Sequence, residues 1–201
     1  MTPVTRLSVV RHGQTDWNLQ QRIQGSTDIP LNSTGRAEAA ETGVRLRARH
    51  WDAIAASPLQ RADETARIIA GELGMPSPEL IPELTERHHG DIEGLSFAER
   101  QLRFPDGVVV PGLESRQDVL DRVLPALGRL AAAHPGQAVL VVSHGGVIGT
   151  LIRHATNNER PRHNELIANG SVHDFAWRDG QLVLERFDAT MRHLDGTITP
   201  R

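Results

Sequence analysis

The chain has 201 residues, of which 38% are hydrophobic and 23% are charged, and its formal net charge at pH 7 is −3. This length allows a substantial core, and we predict one domain over residues 1–201. The slight acidic excess argues against nucleic-acid and membrane-surface binding. The absence of cysteine excludes disulfides, thiolate catalysis and cysteine-bound zinc. No apolar stretch reaches membrane-spanning length and no export pattern is visible, so we expect a cytoplasmic protein.

The hydrophobic pattern predicts strands that alternate with helices, as is typical of α/β proteins. The first half contains, in chain order, a strand at residues 7–10, a polar loop at 13–32, a helix capped by Asn32 or Ser33 that runs to about residue 49, the strand Ala53–Ala56, a helix at 61–73 that Gly74 ends, and a weak strand at 80–81. The residues that we expect on the buried face of the first helix are Ala37, Ala40, Val44 and Leu46.

The second half begins with an irregular segment that is rich in glycine and proline. Its predicted elements are a short helix at Phe97–Arg103, a helix of about 18 residues from 114–115 to 133, a strand at 138–142, a helix at 147–154, and strands at 171–177 and 181–187 joined by an Asp179-Gly180 turn. We expect no regular structure in the last dozen residues. The predicted fold class is α/β, a three-layer sandwich with a mostly parallel central sheet and helices on both faces.

Two of the predicted strands end in a histidine followed by glycine. The motif Arg11-His12-Gly13 follows the strand at 7–10, and Ser143-His144-Gly145-Gly146 follows the strand at 138–142. Open α/β folds bind ligands at the carboxyl ends of their strands. If the two strands are neighbours, the two imidazoles face each other across one pocket. Such a pocket, with an arginine beside it, favours phosphoryl chemistry.

Two more residues are expected to lie at this edge of the sheet. Arg61 lies near the start of the helix after Ala53–Ala56, where the helix dipole and a guanidinium both favour an anion. Glu86 follows the weak strand region, and a carboxylate close to bound phosphate is expected to hold a proton. The loop at 13–18 offers backbone amides and polar side chains to an anionic oxygen. Each of these residues alone is more often a solvated surface group. The prediction of an anion-binding site therefore depends on their common position at this edge of the sheet.

A metal site is an alternative interpretation of the histidines, because imidazole is a common zinc ligand. The chain has no His-Glu-x-x-His helix, and Arg11 would repel a cation beside His12. The histidines that show no ligand spacing are His50, His88, His89, His134, His154, His163, His173 and His193. We therefore expect neither a metal nor a cofactor.

Four blocks occur in order along the chain. They are Val10-Arg11-His12-Gly13-Gln14-Thr15-x-Trp17-Asn18 with Gln24-Gly25, then Ser57-Pro58-Leu59-Gln60-Arg61-Ala62, then Leu84-x-Glu86-x-x-x-Gly90, and Ser143-His144-Gly145-Gly146. Together they resemble the signature of the histidine phosphatase superfamily, which includes cofactor-dependent phosphoglycerate mutases and many small phosphatases. The resemblance covers residues 7 to about 177 and implies a phosphoglycerate mutase-like fold.

The resemblance also implies a role for each of these residues. His12 is expected to attack phosphorus and form a phosphohistidine. Glu86 is expected to protonate the leaving oxygen and then to activate water. The residues expected to hold the phosphoryl oxygens are Arg11, Arg61 and His144. The residues expected to bind the substrate are Asn18, Gln24, Gly25, Arg87, His88 and Gly145.

Within that family the sequence favours a phosphatase. Glu86-Arg87-His88-His89-Gly90 resembles the Glu-Arg-His-Tyr-Gly block of the mutases, but the mutase lysine after Gly94-Leu95 and the paired arginines of the mutase insertion are missing. Pro111-Gly112-Leu113-Glu114-Ser115 resembles the Gly-Gly-Glu-Ser block of the phosphatase branch. A short cap around residues 87–114 suits hydrolysis, because a mutase must protect its phosphohistidine from water.

The prediction is therefore a metal-independent phosphatase that acts on a small phosphorylated metabolite. The alternatives are a mutase primed by 2,3-bisphosphoglycerate, a catalytically weak regulatory or binding protein of the same fold, and a phosphatase that acts on a phosphoprotein. We expect no nucleic-acid and no membrane partner, and a homodimer is left open.

Overall fold

The computed structural model describes residues 3–192 and 198–200, which form a mixed central sheet with helices on both faces. The helices are α1 (Asp16–Leu19), α2 (Ser33–Leu46), α3 (Gln60–Leu73), α4 (Phe97–Arg103), α5 (Arg116–Ala133) and α6 (Gly145–Ala155). The strands are β1 (Thr5–Arg11), β2 (Ala53–Ala56), β3 (Glu79–Leu80), β4 (Ala138–Ser143), β5 (Glu165–Leu166), β6 (Val172–Arg178), β7 (Gln181–Arg186), β8 (Thr190–Arg192) and β9 (Ile198–Pro200). No helix among the described residues has the length and apolar character needed to cross a membrane.

The central sheet has the strand order β3-β2-β4-β1-β6-β7. The first four strands in that order are parallel, whereas β6 and β7 are antiparallel to their neighbours. Strands β1 and β4 lie side by side in a register that pairs Val10 with Val142 and Arg11 with Ser143. Their carboxyl ends are therefore level. This sheet confirms the predicted α/β class.

The core is divided between the two faces of the sheet. All six residues of β4 are buried, as expected for a parallel strand that is covered on both sides. Val139 and Val141 point into the core that α5 and α6 cover, whereas Leu140 and Val142 point into the core that α3 covers. The alternation along a strand thus produces a three-layer sandwich with β1 and β4 at its centre.

The predicted buried face of α2 is wrong. Ala37 is exposed, Ala40 is half-buried and Val44 is 50% exposed, so that Leu46 alone of the predicted set is buried. The residues that α2 buries are Gly35, Ala39, Thr42, Gly43 and Leu46. Small residues occupy this face because α2 approaches its neighbours closely. A Cβ atom on Gly43 would lie 2.7 Å from Cβ of Glu72 on α3.

Other differences concern the ends of elements and the tail. The polar loop at 13–32 contains the short helix α1, and the weak strand lies at Glu79–Leu80 instead of 80–81. The prediction of no regular structure in the last dozen residues is wrong for Thr190–Arg192 and Ile198–Pro200, which pair in a small sheet with β5. The rest of that prediction, 193–197 and 201, lies outside the described residues. The short helix in the cap segment is confirmed at Phe97–Arg103.

The first turn of α2 yields a prediction about stability. In Gly35→Ala, the new Cβ would lie 2.1 Å from the Gln14 carbonyl oxygen, so the backbone must shift. We expect the free energy of unfolding, measured with urea, to fall by about 1–3 kcal/mol, as for other overpacked sites. Gly71 on α3 is the control, because a Cβ there would have no atom within 4 Å and alanine should add roughly 0.5–1 kcal/mol. Equal effects of the two substitutions would contradict this account of α2.

Candidate active site

The carboxyl ends of β1 and β4 bring two buried histidines together. The His12 amide donates to the Ser143 carbonyl at 3.0 Å, which extends the pairing of the two strands by one residue. The imidazole centroids of His12 and His144 are 5.2 Å apart, and the ring planes are inclined by 60°. Both side chains are buried. The sheet therefore places the two rings in a single pocket.

The hydrogen bonds of His12 determine which of its nitrogens is free. Nδ1 lies 2.7 Å from the Gly13 carbonyl oxygen, which only accepts, so Nδ1 carries the hydrogen and Nε2 keeps its lone pair. Burial lowers the pKa of His12 well below its ordinary value, and the positive charges of Arg11 and Arg61 lower it further. His12 is consequently a neutral imidazole with a nucleophilic Nε2.

His144 is held in the same neutral state from the opposite side of the pocket. Its Nε2 is 2.7 Å from the Ser57 hydroxyl oxygen, which itself accepts from the Leu59 amide. Burial lowers the pKa of His144 well below its ordinary value, and the charge of Arg61 acts in the same direction. The Ser57 hydroxyl can donate its hydrogen to Nε2, which leaves the hydrogen of His144 on Nδ1.

Arg61 is fully buried, which is rare for an arginine. Its Nη1 donates to the Thr27 carbonyl at 3.0 Å, and its Nη2 donates to the Gly25 carbonyl at 2.7 Å. Burial lowers the pKa of Arg61, and the negative charge of Glu86 opposes that effect. A guanidinium keeps its proton in proteins, so a fixed positive charge stands in the pocket.

Arg11 supplies a second cation beside the histidines. The residue is half-buried, and its Nη1 donates to the Ile167 carbonyl at 2.6 Å, which orients the guanidinium. A Cβ atom on Gly145 would lie 3.3 Å from Nε of Arg11, so glycine at the start of α6 lets the helix backbone come close to the cation. Burial lowers the pKa of Arg11, and Glu86 opposes that effect.

Glu86 is docked onto the first turn of α6. Its carboxylate accepts from the amides of Gly146 at 3.0 Å, Val147 at 3.2 Å and Arg87 at 2.7 Å. A Cβ on Gly146 would lie 2.5 Å from Oε1 of Glu86, so a glycine is required for this contact. The helix N-terminus thereby fixes the orientation of the carboxylate.

The pocket contains buried donors that no described residue satisfies. These nitrogens are Nε of Arg11, Nε of Arg61, Nδ1 of His144 and Nε2 of Gln24. A buried donor without a partner costs about 1–3 kcal/mol. Two of these four donors are on cations, and an anion with several acceptor oxygens is the partner that such donors can bind.

The other predicted residues contribute to this pocket in different ways. Asn18 accepts from the Thr15 amide at 3.1 Å, and Gln24 accepts from the Thr15 hydroxyl at 3.0 Å, so the two amides share one network. Gly25 acts through its carbonyl on Arg61, as described above. His88 is exposed. Its backbone amide donates to a Glu114 carboxylate oxygen at 3.0 Å, so the hydrogen bond that the structure describes for His88 involves its backbone and not its imidazole.

Asn169 is a residue of this site that the sequence analysis missed. Its Nδ2 donates to the His12 carbonyl at 2.9 Å and to Oδ1 of Asn18 at 3.2 Å. The neighbouring backbone is tied to β1 as well, because Arg11 exchanges hydrogen bonds with Gly170 and Ser171. The Asn-Gly pair before the predicted strand at 171–177 signals a turn, but the sequence does not show that this strand pairs with β1.

Comparisons with known proteins find relatives that cover most of the chain. A profile of the histidine phosphatase superfamily (branch 1) matches residues 7–190. The uncharacterized phosphatase PhoE of Bacillus subtilis (strain 168) is 36% identical over 195 residues, which cover 97% of this chain and 100% of that protein. A 2,3-bisphosphoglycerate-dependent phosphoglycerate mutase of Cytophaga hutchinsonii is 37% identical over 161 residues, with 74% and 76% covered. The structure of a mycobacterial glucosyl-3-phosphoglycerate phosphatase with VO3 has a TM-score of 0.81 at 28% identity, and the match covers 90% of this chain and 98% of that chain.

The contacts of Asn169 predict a positioning role. In Asn169→Ala, the His12 backbone and the Asn18 side chain both lose a donor, so we expect kcat for p-nitrophenyl phosphate to fall on the order of tenfold or more with a smaller change in KM. Asn169→Asp, which keeps the size and loses the donor, should show the same loss. Asn164→Ala is the matched control at an exposed position nearby. An unchanged kcat in Asn169→Ala would contradict the role.

Proposed function

The chain belongs to the histidine phosphatase superfamily, and we propose that it is a phosphatase that hydrolyses a small phosphorylated metabolite through a phosphohistidine on His12. The observation that carries the proposal is the set of unpartnered buried donors around two neutral imidazoles. A phosphoryl group presents several negative oxygens in a tetrahedral arrangement, which is the complement that these donors need.

The first chemical step uses His12 and Glu86. Nε2 of His12 attacks phosphorus, so that an N–P bond forms while the bond from phosphorus to the leaving oxygen breaks. Glu86, held on the first turn of α6, gives its proton to that oxygen, and the substrate leaves as an alcohol.

The fixed cations stabilise the charge that builds on the phosphoryl oxygens. Nε of Arg11 and Nε of Arg61 are the available guanidinium donors, and Nδ1 of His144 is a neutral donor beside them. Phosphoryl transfer depends mainly on positioning and on charge stabilisation of this kind. Preorganised donors of this class typically contribute 10²–10³-fold each, roughly, to kcat.

The second step returns the enzyme to its starting state. A water molecule attacks the phosphohistidine, Glu86 takes a proton from that water, and the N–P bond breaks to release inorganic phosphate. The electron pair returns to Nε2 of His12, which is again a neutral imidazole. In this proposal Asn18, Gln24 and Gly25 keep the phosphoryl pocket in shape, and the Gly145 amide faces the same pocket from the start of α6.

Relatives of this chain include a phosphoglycerate mutase, so the mutase is the second candidate. One observation favours hydrolysis. Helix α4 of the cap segment has no buried residue, and Phe97 and Leu102 are 67% and 83% exposed. A cap of this kind shields the pocket poorly from water. A mutase must instead retain its phosphoenzyme and intermediate until the transfer is complete.

Trapping of the phosphoenzyme tests the proposal. With ³²P-labelled substrate and rapid acid-free quenching in alkali, we expect a base-stable, acid-labile label on His12 and none in His12→Ala, because Nε2 of His144, the imidazole that faces His12, is held by the Ser57 hydroxyl. His163→Gln, at an exposed position, is the control and should label normally. EDTA should leave the turnover unchanged, since residues of the chain supply the positive charge.

Three results would oppose this proposal in different ways. A label on another residue would remove His12 as the nucleophile. Loss of turnover with EDTA would contradict the metal-independent mechanism. If enzyme primed with 2,3-bisphosphoglycerate interconverted 3- and 2-phosphoglycerate while it released little phosphate, the mutase would replace the phosphatase.

A further inference from the structure

The peptide group that joins Gly13 to Gln14 forms a hydrogen bond at each of its two polar ends. Its carbonyl oxygen, on Gly13, accepts from Nδ1 of His12 at 2.7 Å. Its amide, on Gln14, donates to Oε2 of Glu38 at 2.7 Å. One peptide group therefore connects the Glu38 carboxylate with the imidazole of the proposed nucleophile.

Close packing on both sides fixes the position of this peptide group. The Thr65 hydroxyl on α3 accepts from the Gly13 amide at 3.1 Å. The first turn of α2 lies against the peptide from the other side, since a Cβ on Gly35 would lie 2.1 Å from the Gln14 carbonyl oxygen. Glu38 follows Gly35 by three residues on α2, and residues at this spacing share a helix face. The helix that packs on the peptide thus also brings the carboxylate to it.

Glu38 is half-buried, and its charge acts on the pocket as well as on the peptide group. Burial raises the pKa of Glu38, whereas the hydrogen bond from the Gln14 amide and the charge of Arg11 lower it. Burial lowers the pKa of Arg11, and the charges of Glu86 and Glu38 oppose that effect. Glu38 therefore has two possible targets, the Gly13–Gln14 peptide group that it contacts and the Arg11 cation, and these predict opposite effects on the reaction.

The attack of His12 on phosphorus creates a positive charge that this connection can stabilise. Nε2 gives its electron pair to the new N–P bond while the hydrogen stays on Nδ1, so the ring of the phosphohistidine is an imidazolium. That charge strengthens the hydrogen bond to the Gly13 carbonyl, and a carboxylate on the amide of the same peptide group polarises the carbonyl further. No proton moves along the connection. In Ser-His-Asp triads a carboxylate stabilises an imidazolium by direct contact.

From these contacts we infer that Glu38 is a positioning residue for the nucleophile: through the Gly13–Gln14 peptide group it keeps the hydrogen on Nδ1 of His12 and stabilises the positive charge that develops on the ring. The inference rests on the proposed function, in which His12 attacks phosphorus. The ring charge forms in the first step and disappears when water displaces the histidine in the second. Glu38 therefore accelerates phosphorylation of the enzyme and does not accelerate hydrolysis of the phosphohistidine.

Separate rate constants for the two steps test this inference. Glu38→Gln keeps an oxygen that can accept from the Gln14 amide and removes the negative charge. With saturating ³²P-labelled p-nitrophenyl phosphate at about pH 8, well above the ordinary pKa of a glutamate, the steady-state fraction of labelled enzyme and kcat together give both rate constants. The control is Glu41→Gln, which removes the same charge from an exposed position on the same helix.

In Glu38→Gln we expect the rate constant for phosphorylation to fall about five- to tenfold, because a hydrogen bond to a charged group is roughly twice as strong as one to a neutral group. The rate constant for hydrolysis should stay the same or rise, so the labelled fraction should fall. Glu41→Gln should leave both rate constants unchanged. In NMR spectra, the Nδ1 proton of His12 should be present in the wild type, which requires no substitution, and should shift upfield in Glu38→Gln.

The results that would overturn the inference are distinct from a failure of the proposed function. An equal fall in both rate constants would show that Glu38 only holds the loop, and unchanged phosphorylation would remove its role. Faster phosphorylation, with inhibition by inorganic phosphate at lower concentration, would show that Glu38 acts by neutralising Arg11. In these cases a wild type that is labelled on His12 keeps the phosphatase proposal. If the wild type carries no label on His12, the proposed function fails and this inference fails with it.

Discussion

A buried positive charge is the constraint on which the rest of the site depends. Arg61 is completely enclosed, and its described hydrogen bonds go to the carbonyl oxygens of Gly25 and Thr27 instead of to a carboxylate. Such a charge is costly in a protein interior unless an anion joins it. The same charge, with that of Arg11, keeps His12 and His144 neutral. One arrangement therefore both attracts an anion and preserves the nucleophile that attacks it.

Close contacts between backbone segments hold these residues in position. Strands β1 and β4 end level with each other, so their next residues, His12 and His144, share one pocket. Helix α6 begins at once after β4, and its glycines at 145 and 146 admit Arg11 and Glu86 to the helix N-terminus. The segment around Asn169 then forms hydrogen bonds with the backbone at the end of β1, on the side opposite β4. The positions of the reactive groups follow from backbone pairing more than from side-chain packing.

The sequence was sufficient to predict the strands of the central sheet and the long helices, and it predicted that His12 and His144 meet if their two strands are neighbours, because strand ends and apolar periodicity are local signals. It did not predict the small sheet of β5, β8 and β9. It misassigned the buried face of α2, since Gly35 and Gly43 allow close approach and carry no hydrophobic signal. It also missed Asn169, which is 157 positions from His12 and reaches it only through the antiparallel pairing of β6 with β1. Long-range pairing of this kind leaves no local pattern.

Titration of the ring nitrogens by NMR on ¹⁵N-histidine-labelled protein tests the central claim most directly. The charges of Arg11 and Arg61 disfavour a protonated ring, as burial does, so the pKa of His12 should lie well below its ordinary value. From about pH 8 to pH 5 the His12 signals should therefore stay those of a neutral imidazole with hydrogen on Nδ1. Protonation of His12 near its ordinary pKa of 6.5, or hydrogen on Nε2 in the neutral form, would contradict the account.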